Sequence, residues 1–294
     1  MHIHGKIVKP PMIKNAEILE ISYGCSYGKC RYCMFYKDID YGISKLEDIE
    51  EDLKEIKEKN PKVDKLFLLG GEPFSLPVKK LNPILDLINR YLPGIELIMY
   101  ASVNSMKNKT VDELVELKNK GIVDLVIGLE SGDDEVLKII NKGYDSKQAT
   151  KSLKKLNEAG INYSIIYIAG LAGHGKDKWS RNALNTAKLI NKIHPTSLCL
   201  TLLYLNKGIP LYDEDLKNGD FIEASMLEIL NEYKLLLENI NIPLHIFNDE
   251  ATTLMSFKAD YPEEKNNAIK FFDEKIKSFT PEDESLYNLY RTPI

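Results

Sequence analysis

Between residues 17 and 212 the chain alternates repeatedly between short apolar runs and longer amphipathic stretches. The apolar runs at 17–23, 65–69, 95–100, 122–129, 163–169 and 197–205 predict strands. Between and after them, 44–59, 77–91, 110–120, 133–141, 146–159, 180–193 and 224–240 predict helices. Leu46, Ile49, Leu53 and Ile56 give the first helix one apolar face, and Asn60-Pro61 stops it. Ser44 with Glu47, Thr110 with Glu113 and Ser225 with Glu228 have the spacing of capping boxes. Near-continuous apolar strands separated by helices mean a parallel sheet covered by helices. Six such units fall short of a closed eight-fold barrel. The expected fold is therefore α/β, a partial (β/α)6 TIM-like barrel over residues 17–212. Residues 1–16 read as a polar lead. Residues 213–294 read as a helix and C-terminal extension closing the barrel, with a short strand at 244–247 and a helix at 262–278.

In open parallel sheets and barrels, ligands sit at the carboxyl ends of the strands. Three of the four cysteines, Cys25, Cys30 and Cys33, lie directly after the first apolar run. Thiolates at this density are soft ligands and suit zinc or an iron–sulfur cluster. Three nearby ligands leave either a zinc loop completed by a histidine such as His174, or a cluster with one iron open to a ligand. Cys199, His194 and Trp179 read as structural. Gly70-Gly71-Glu72-Pro73 follows the second strand, where glycines let the backbone approach a ligand and a carboxylate can accept from an ammonium. His174, in a glycine-flanked loop at the same end, is a candidate acid or base.

Charge and hydropathy restrict the partners. The 39 basic and 44 acidic residues give a formal net charge of -5, which disfavours a nucleic-acid partner. No apolar run reaches the roughly 18 residues of a membrane span, and the N-terminus lacks the apolar core of a signal peptide. No membrane partner is expected, and the expected location is cytoplasmic, where thiols stay reduced.

The CX4CX2C spacing, with Tyr32 before the last cysteine and Gly-Gly-Glu downstream, resembles the radical S-adenosylmethionine (SAM) superfamily. The commonest spacing there is CX3CX2C, so this chain has one extra residue in the first gap. The resemblance implies that Cys25, Cys30 and Cys33 hold a [4Fe-4S] cluster whose open iron is chelated by SAM. It implies that Gly70, Gly71 and Glu72 bind the SAM amino group. Ser102 and Asn104 end strand three, and Glu130 and Ser131, ending strand four, stand where related enzymes contact the ribose and carboxylate. Lys142 is expected to pair with the SAM carboxylate, and Gly170 to lie near adenine. Tyr32 and Tyr204 complete the expected cofactor contacts. An electron from flavodoxin or ferredoxin would then cleave SAM to a 5′-deoxyadenosyl radical that acts on a small molecule.

With no second cysteine set, the resemblance narrows to compact single-cluster enzymes, on residues 24–38 and 128–137. The specific expectation is a queuine lyase, which cleaves the C–N bond of queuine and releases 7-aminomethyl-7-deazaguanine. Phe247 would stack on the base, and Asp249 or Glu250 would accept from its paired N–H donors. A second expectation resembles oxygen-independent coproporphyrinogen oxidase. A third is an iron–sulfur electron carrier or zinc-binding protein, which would need no Gly-Gly-Glu.

Overall fold

The structure is a computed structural model that describes residues 1–10, 13–248 and 255–291. In chain order it forms β1 (Glu17–Glu20), β2 (Ser22–Tyr23), β3 (Gly42–Ile43), α1 (Leu46–Lys59), β4 (Lys65–Leu69) and α2 (Val78–Tyr91). There follow β5 (Glu96–Ala101), α3 (Val103–Met106), α4 (Val111–Asn119), β6 (Ile122–Glu130), α5 (Asp134–Ile139) and α6 (Ser146–Ala159). Then come β7 (Asn162–Ala169), α7 (Lys176–Ile190), β8 (Ser197–Leu202) and α8 (Met226–Asn239). The last elements are β9 (Leu244–Asn248), β10 (Lys258–Tyr261), α9 (Lys265–Ser278) and α10 (Pro281–Arg291). Among the described residues no helix is long and apolar enough to cross a membrane.

The chain divides into two compact units. The first comprises residues 1–28, 35–128 and 151–164. Its strands β1, β4, β5 and β6 lie side by side in that order, all parallel. In β4 the run Leu66, Phe67, Leu68 and Leu69 is wholly buried, as expected for a strand covered on both faces. The strand expected at 17–23 is interrupted at Ile21. Its first part pairs with β4, and β2 turns aside to pair antiparallel with β3.

Helix starts show where local signals win and where they lose. The boxes Thr110/Glu113 and Ser225/Glu228 both form, each side chain bonding the other residue's backbone N–H. The Ser44/Glu47 box does not: α1 is entered from Lys45, with no side-chain cap. The Ser44 hydroxyl instead donates to Glu20 at 3.3 Å, and its N–H donates to the Ile21 carbonyl at 3.1 Å. Those bonds tie Ser44 to the β1–β2 region and withdraw it from the helix. Leu46, at the first helical position, is 42% exposed, while Asp52 takes a buried position and accepts the His2 N–H at 2.9 Å.

The second unit comprises residues 29–34, 129–150 and 165–294. In it β8 pairs parallel with β9, and β10 returns antiparallel along β9. Strand β8 ends at Leu202, three residues before the expected limit, because Leu203 and Leu205 join Val136, Ile140, Leu171 and Phe221 in an apolar cluster. A single π-helical turn follows at Leu211–Leu216, a form of backbone concentrated at functional sites. Helix α7 starts at Lys176, four residues earlier than the apolar pattern suggests. Neither β10 nor α10 was expected from the sequence, since alternation in four residues and a short polar helix are weak signals. The fold is α/β with a mostly parallel sheet.

Candidate functional site

In the first unit, the cysteine loop and the Gly-Gly-Glu loop are joined by hydrogen bonds. The Gly71 N–H donates to the Gly24 carbonyl at 2.8 Å, and the Ser26 hydroxyl donates to Glu72 Oε2 at 3.1 Å. Gly71 has to be glycine, because a Cβ there would come within 2.5 Å of the Gly24 carbonyl oxygen and 2.8 Å of Cys25 Cβ. Glu72 Oε1 accepts the hydroxyl of Ser102, which also caps α3 by accepting from Asn104 and Ser105 N–H. The carboxylate of Glu72 thus links the ends of β4 and β5 to the residue after Cys25.

Beside it, Lys109 is buried, donating to the Phe74 and Ser105 carbonyls at 2.8 and 2.9 Å. Burial lowers its pKa to about 8. A cavity of about 460 Å³ opens here, lined by Ser26, Glu72, Asn104, Ser105 and Lys109 among others.

In the second unit, Tyr32, Glu130 and Lys142 come together. The Tyr32 hydroxyl donates to Glu130 Oε1 at 2.7 Å, and Lys142 Nζ lies 3.3 Å from the same oxygen. Lys142 Nζ also stands 5.9 Å from the Tyr32 ring centre and 5.8 Å from that of Tyr144, within cation–π range. Burial opposes the Lys142 charge, but the oxygens of Tyr32, Tyr144 and Glu130 outweigh it, and its pKa is raised. Burial and the Glu130 carboxylate raise the pKa of the Tyr32 phenol. Glu130 itself sits at φ 65°, and its second oxygen, Oε2, is buried with no hydrogen-bond partner among the described residues.

The segment that carries Cys30 and Cys33 is fixed within the same unit. Arg31 N–H donates to the Ile140 carbonyl at 2.9 Å, and its guanidinium reaches Glu214 at 2.9 Å and Asp215 at 2.5 Å on the π-helical turn. Asn141 Nδ2 donates to the Lys29 carbonyl at 3.0 Å. Ser131 is wholly buried. Its hydroxyl donates to Asn182 Oδ1 at 2.5 Å and accepts from Asp133 N–H at 2.9 Å, so its proton is committed inside the protein. Gly170 turns at φ 84° just after β7, a conformation that favours glycine.

The remaining expected residues are more scattered. His174 has a side chain 60% exposed, with Nδ1 2.9 Å from Glu228 Oε2. Tyr204 is half-buried after β8. Phe247 is half-buried on β9 and stacks on His245, ring centres 5.6 Å apart. Asp249 and Glu250 lie outside the described residues. Cys199 is buried in β8.

Sequence reasoning missed Ser26, Lys109, Asn182 and Glu232. Only Glu232 left a signal, as an acid on the otherwise apolar face of α8 formed by Ile229, Leu230, Tyr233, Leu236 and Leu237.

Among the described residues no three His, Cys, Asp or Glu side chains stand together as a ready metal site. The fit of a cluster and SAM rests on the donors. Cys25, Cys30 and Cys33 are partly exposed and in no disulfide, and the buried orphan oxygen Glu130 Oε2 matches a hydroxyl-bearing ligand.

The sequence model of the Radical SAM superfamily matches residues 19–181. The heme chaperone HemW of Bacillus subtilis is 29% identical over 174 residues, covering 56% of this chain and 45% of that protein. The chain spans about half the length of the curated relatives it matches. Among solved structures, coproporphyrinogen III oxidase from Escherichia coli aligns with TM-score 0.56 at 19% identity, over 76% of this chain and 52% of that one. Methylornithine synthase aligns with TM-score 0.53 at 15% identity, over 93% of this chain and 85% of that one. These likenesses show the fold, a partial TIM-like barrel.

Proposed function

The chain belongs to the radical SAM superfamily, and from that premise we propose that it cleaves SAM reductively and takes a hydrogen atom from a small organic molecule. One observation carries this reading. Two motifs far apart in sequence are joined at Gly24–Gly71 (2.8 Å) and Ser26–Glu72 (3.1 Å), beside a cavity of about 460 Å³.

When bound, a [4Fe-4S] cluster and SAM supply a one-electron reduction and a 5′-deoxyadenosyl radical. Cys25, Cys30 and Cys33 would hold the cluster as thiolates. Glu72, already oriented by Ser26 and Ser102, keeps lone pairs to accept from the SAM ammonium. Glu130 Oε2 would accept a ribose hydroxyl, which would satisfy a buried oxygen that has no partner among the described residues. Lys142 serves this site by balancing the Glu130 charge. His174, with Glu228 against Nδ1, remains the candidate for moving a proton. Flavodoxin or ferredoxin is the proposed electron donor.

The test is anaerobic. Reconstituted protein is mixed with SAM and dithionite, and 5′-deoxyadenosine and methionine are followed with no addition, with queuine, or with coproporphyrinogen III. Product formation in any arm supports SAM cleavage; none in all arms ends the reading. The finer reading, a queuine lyase, rests on Phe247, Asp249 and Glu250 as base contacts, and predicts 7-aminomethyl-7-deazaguanine in the queuine arm alone. Coproporphyrinogen consumption would instead support the oxidase-like alternative.

A further inference from the structure

Helix α8 carries a carboxylate that belongs to none of the motifs. Glu232 is 0% exposed. Its Oε1 accepts from the Tyr167 hydroxyl and from Asn182 Nδ2, both at 2.6 Å, and its Oε2 accepts the Gly170 N–H at 2.9 Å. Asn182, also 0% exposed, extends the chain of bonds: its Oδ1 accepts the Ser131 hydroxyl at 2.5 Å. We propose that Glu232, acting with Asn182, is a positioning residue for SAM, setting the shape of the two turns after β6 and β7. The proposal rests on the SAM-dependent function proposed above.

The chemistry of the donors explains why a carboxylate stands here. Three N–H or O–H groups converge on Glu232, and in its ionised form, the one present at alkaline pH, it has no donor of its own and can accept from all of them. A glutamine would turn its NH2 toward either Gly170 N–H or Asn182 NH2, leaving a buried donor unsatisfied. Burying a carboxylate in an apolar helix face is costly, and a leucine would pack there without that cost. Besides the bonds to Tyr167 and Asn182, Glu232 reaches the turn at Gly170 directly, and Asn182 reaches the turn at Ser131. The Gly170 N–H fixes the direction of a peptide that leaves β7 at φ 84°, and Asn182 fixes which way the Ser131 hydroxyl proton points. Neither Glu232 nor Asn182 needs to touch SAM for its loss to misalign both turns.

The experiment uses the full chain loaded with its cluster. SAM affinity is measured by calorimetry and by the electron paramagnetic resonance change of the reduced cluster, and 5′-deoxyadenosine formation is followed at saturating SAM. Glu232→Gln is expected to weaken SAM binding about tenfold or more, as loss of a charge-assisted hydrogen bond does, with turnover at saturating SAM nearly unchanged. Independently of any ligand, hydrogen exchange at the Gly170 amide should speed up in the unloaded variant. Asn182→Leu, which keeps the branched side-chain shape but removes the bonds to Ser131, Glu232 and Tyr167 together, should weaken SAM binding in the same direction, and it carries the test if Glu232→Gln does not fold. Wild-type SAM affinity in a folded variant that has lost Gly170 protection overturns the proposal, as does wild-type affinity in Asn182→Leu. A wild-type protein that binds no SAM overturns the proposed function itself, which is a different result from a wild type that binds and variants that match it.

Discussion

Glu130 carries two costs at once. It holds a left-handed backbone at φ 65° and a buried carboxylate facing Lys142 and Tyr32; such strain persists where the surroundings over-determine it. Removing one partner of a buried ion pair leaves the other charge uncompensated, whereas removing both can be nearly neutral. Lys142→Met should therefore lower stability by about 3–5 kcal/mol, and adding Glu130→Gln to it should restore most of the loss. Urea unfolding of the single and double variants measures both; a double variant weaker than Lys142→Met would break the argument. Glu232 gives a pH counterpart. Burial raises its pKa to about 7, above the ordinary carboxylate value that it regains on unfolding. Its contribution is thus fully present below about pH 4.5 and lost as the pH rises to about 7, a change on the order of 3 kcal/mol. Glu228 on the same helix adds like charge, while Tyr167, Gly170 and Asn182 pull the other way. Between pH 5 and pH 8, unfolding curves should show wild type losing on the order of 3 kcal/mol relative to Glu232→Gln, and no such change if Glu232 is ionised throughout.

At the scale of elements, the two capping boxes that formed and the one that did not make a matched experiment. Thr110 Oγ1 accepts the Glu113 N–H at 3.2 Å at the start of α4. Thr110→Ala should cost about 1 kcal/mol and speed hydrogen exchange at the Glu113 amide. Ser44→Ala should leave exchange at the Glu47 amide unchanged, because Lys45 and not Ser44 precedes α1. The same contrast shows what the sequence carried at this scale. Apolar runs located β4, β5, β6, β7 and β8 within a few residues, since buried parallel strands are nearly continuous in apolar character. Where a residue's partner is remote, as Glu20 is for Ser44, the local pattern misleads. The π-helical turn at Leu211–Leu216 carries no periodicity of its own, and it is fixed partly by bonds from Arg31.

For the whole molecule, residue types were legible and pairings were not. Cys25, Cys30, Cys33, Gly71 and Glu72 stood out by spacing, because clustered thiols such as those proposed here to hold a cluster, and a close backbone approach such as that of Gly71 to Gly24, each demand particular residues. Ser26, Asn182 and Glu232 act only through partners up to 65 residues away along the chain, such as the Tyr167–Glu232 pair, so no local window contains their meaning. The cysteines offer the last prediction. Cys199 is the fourth thiol, but it is buried within β8 opposite Phe247 of β9, and buried cysteines of this kind are as a rule structural and inert. The three loop cysteines are partly exposed. After anaerobic reconstitution, Cys199→Ala should retain iron and acid-labile sulfide at the wild-type level, about four of each per chain for a [4Fe-4S] cluster. Each single alanine variant of Cys25, Cys30 and Cys33 should lose most of both. Because a ligand that binds only the folded state stabilises it, reconstitution should also raise the unfolding temperature of wild type and Cys199→Ala but not of the loop variants. Loss of iron in Cys199→Ala equal to that in the loop variants would make Cys199 a fourth ligand, leaving no iron open for SAM and removing the chemical basis of the proposed reaction.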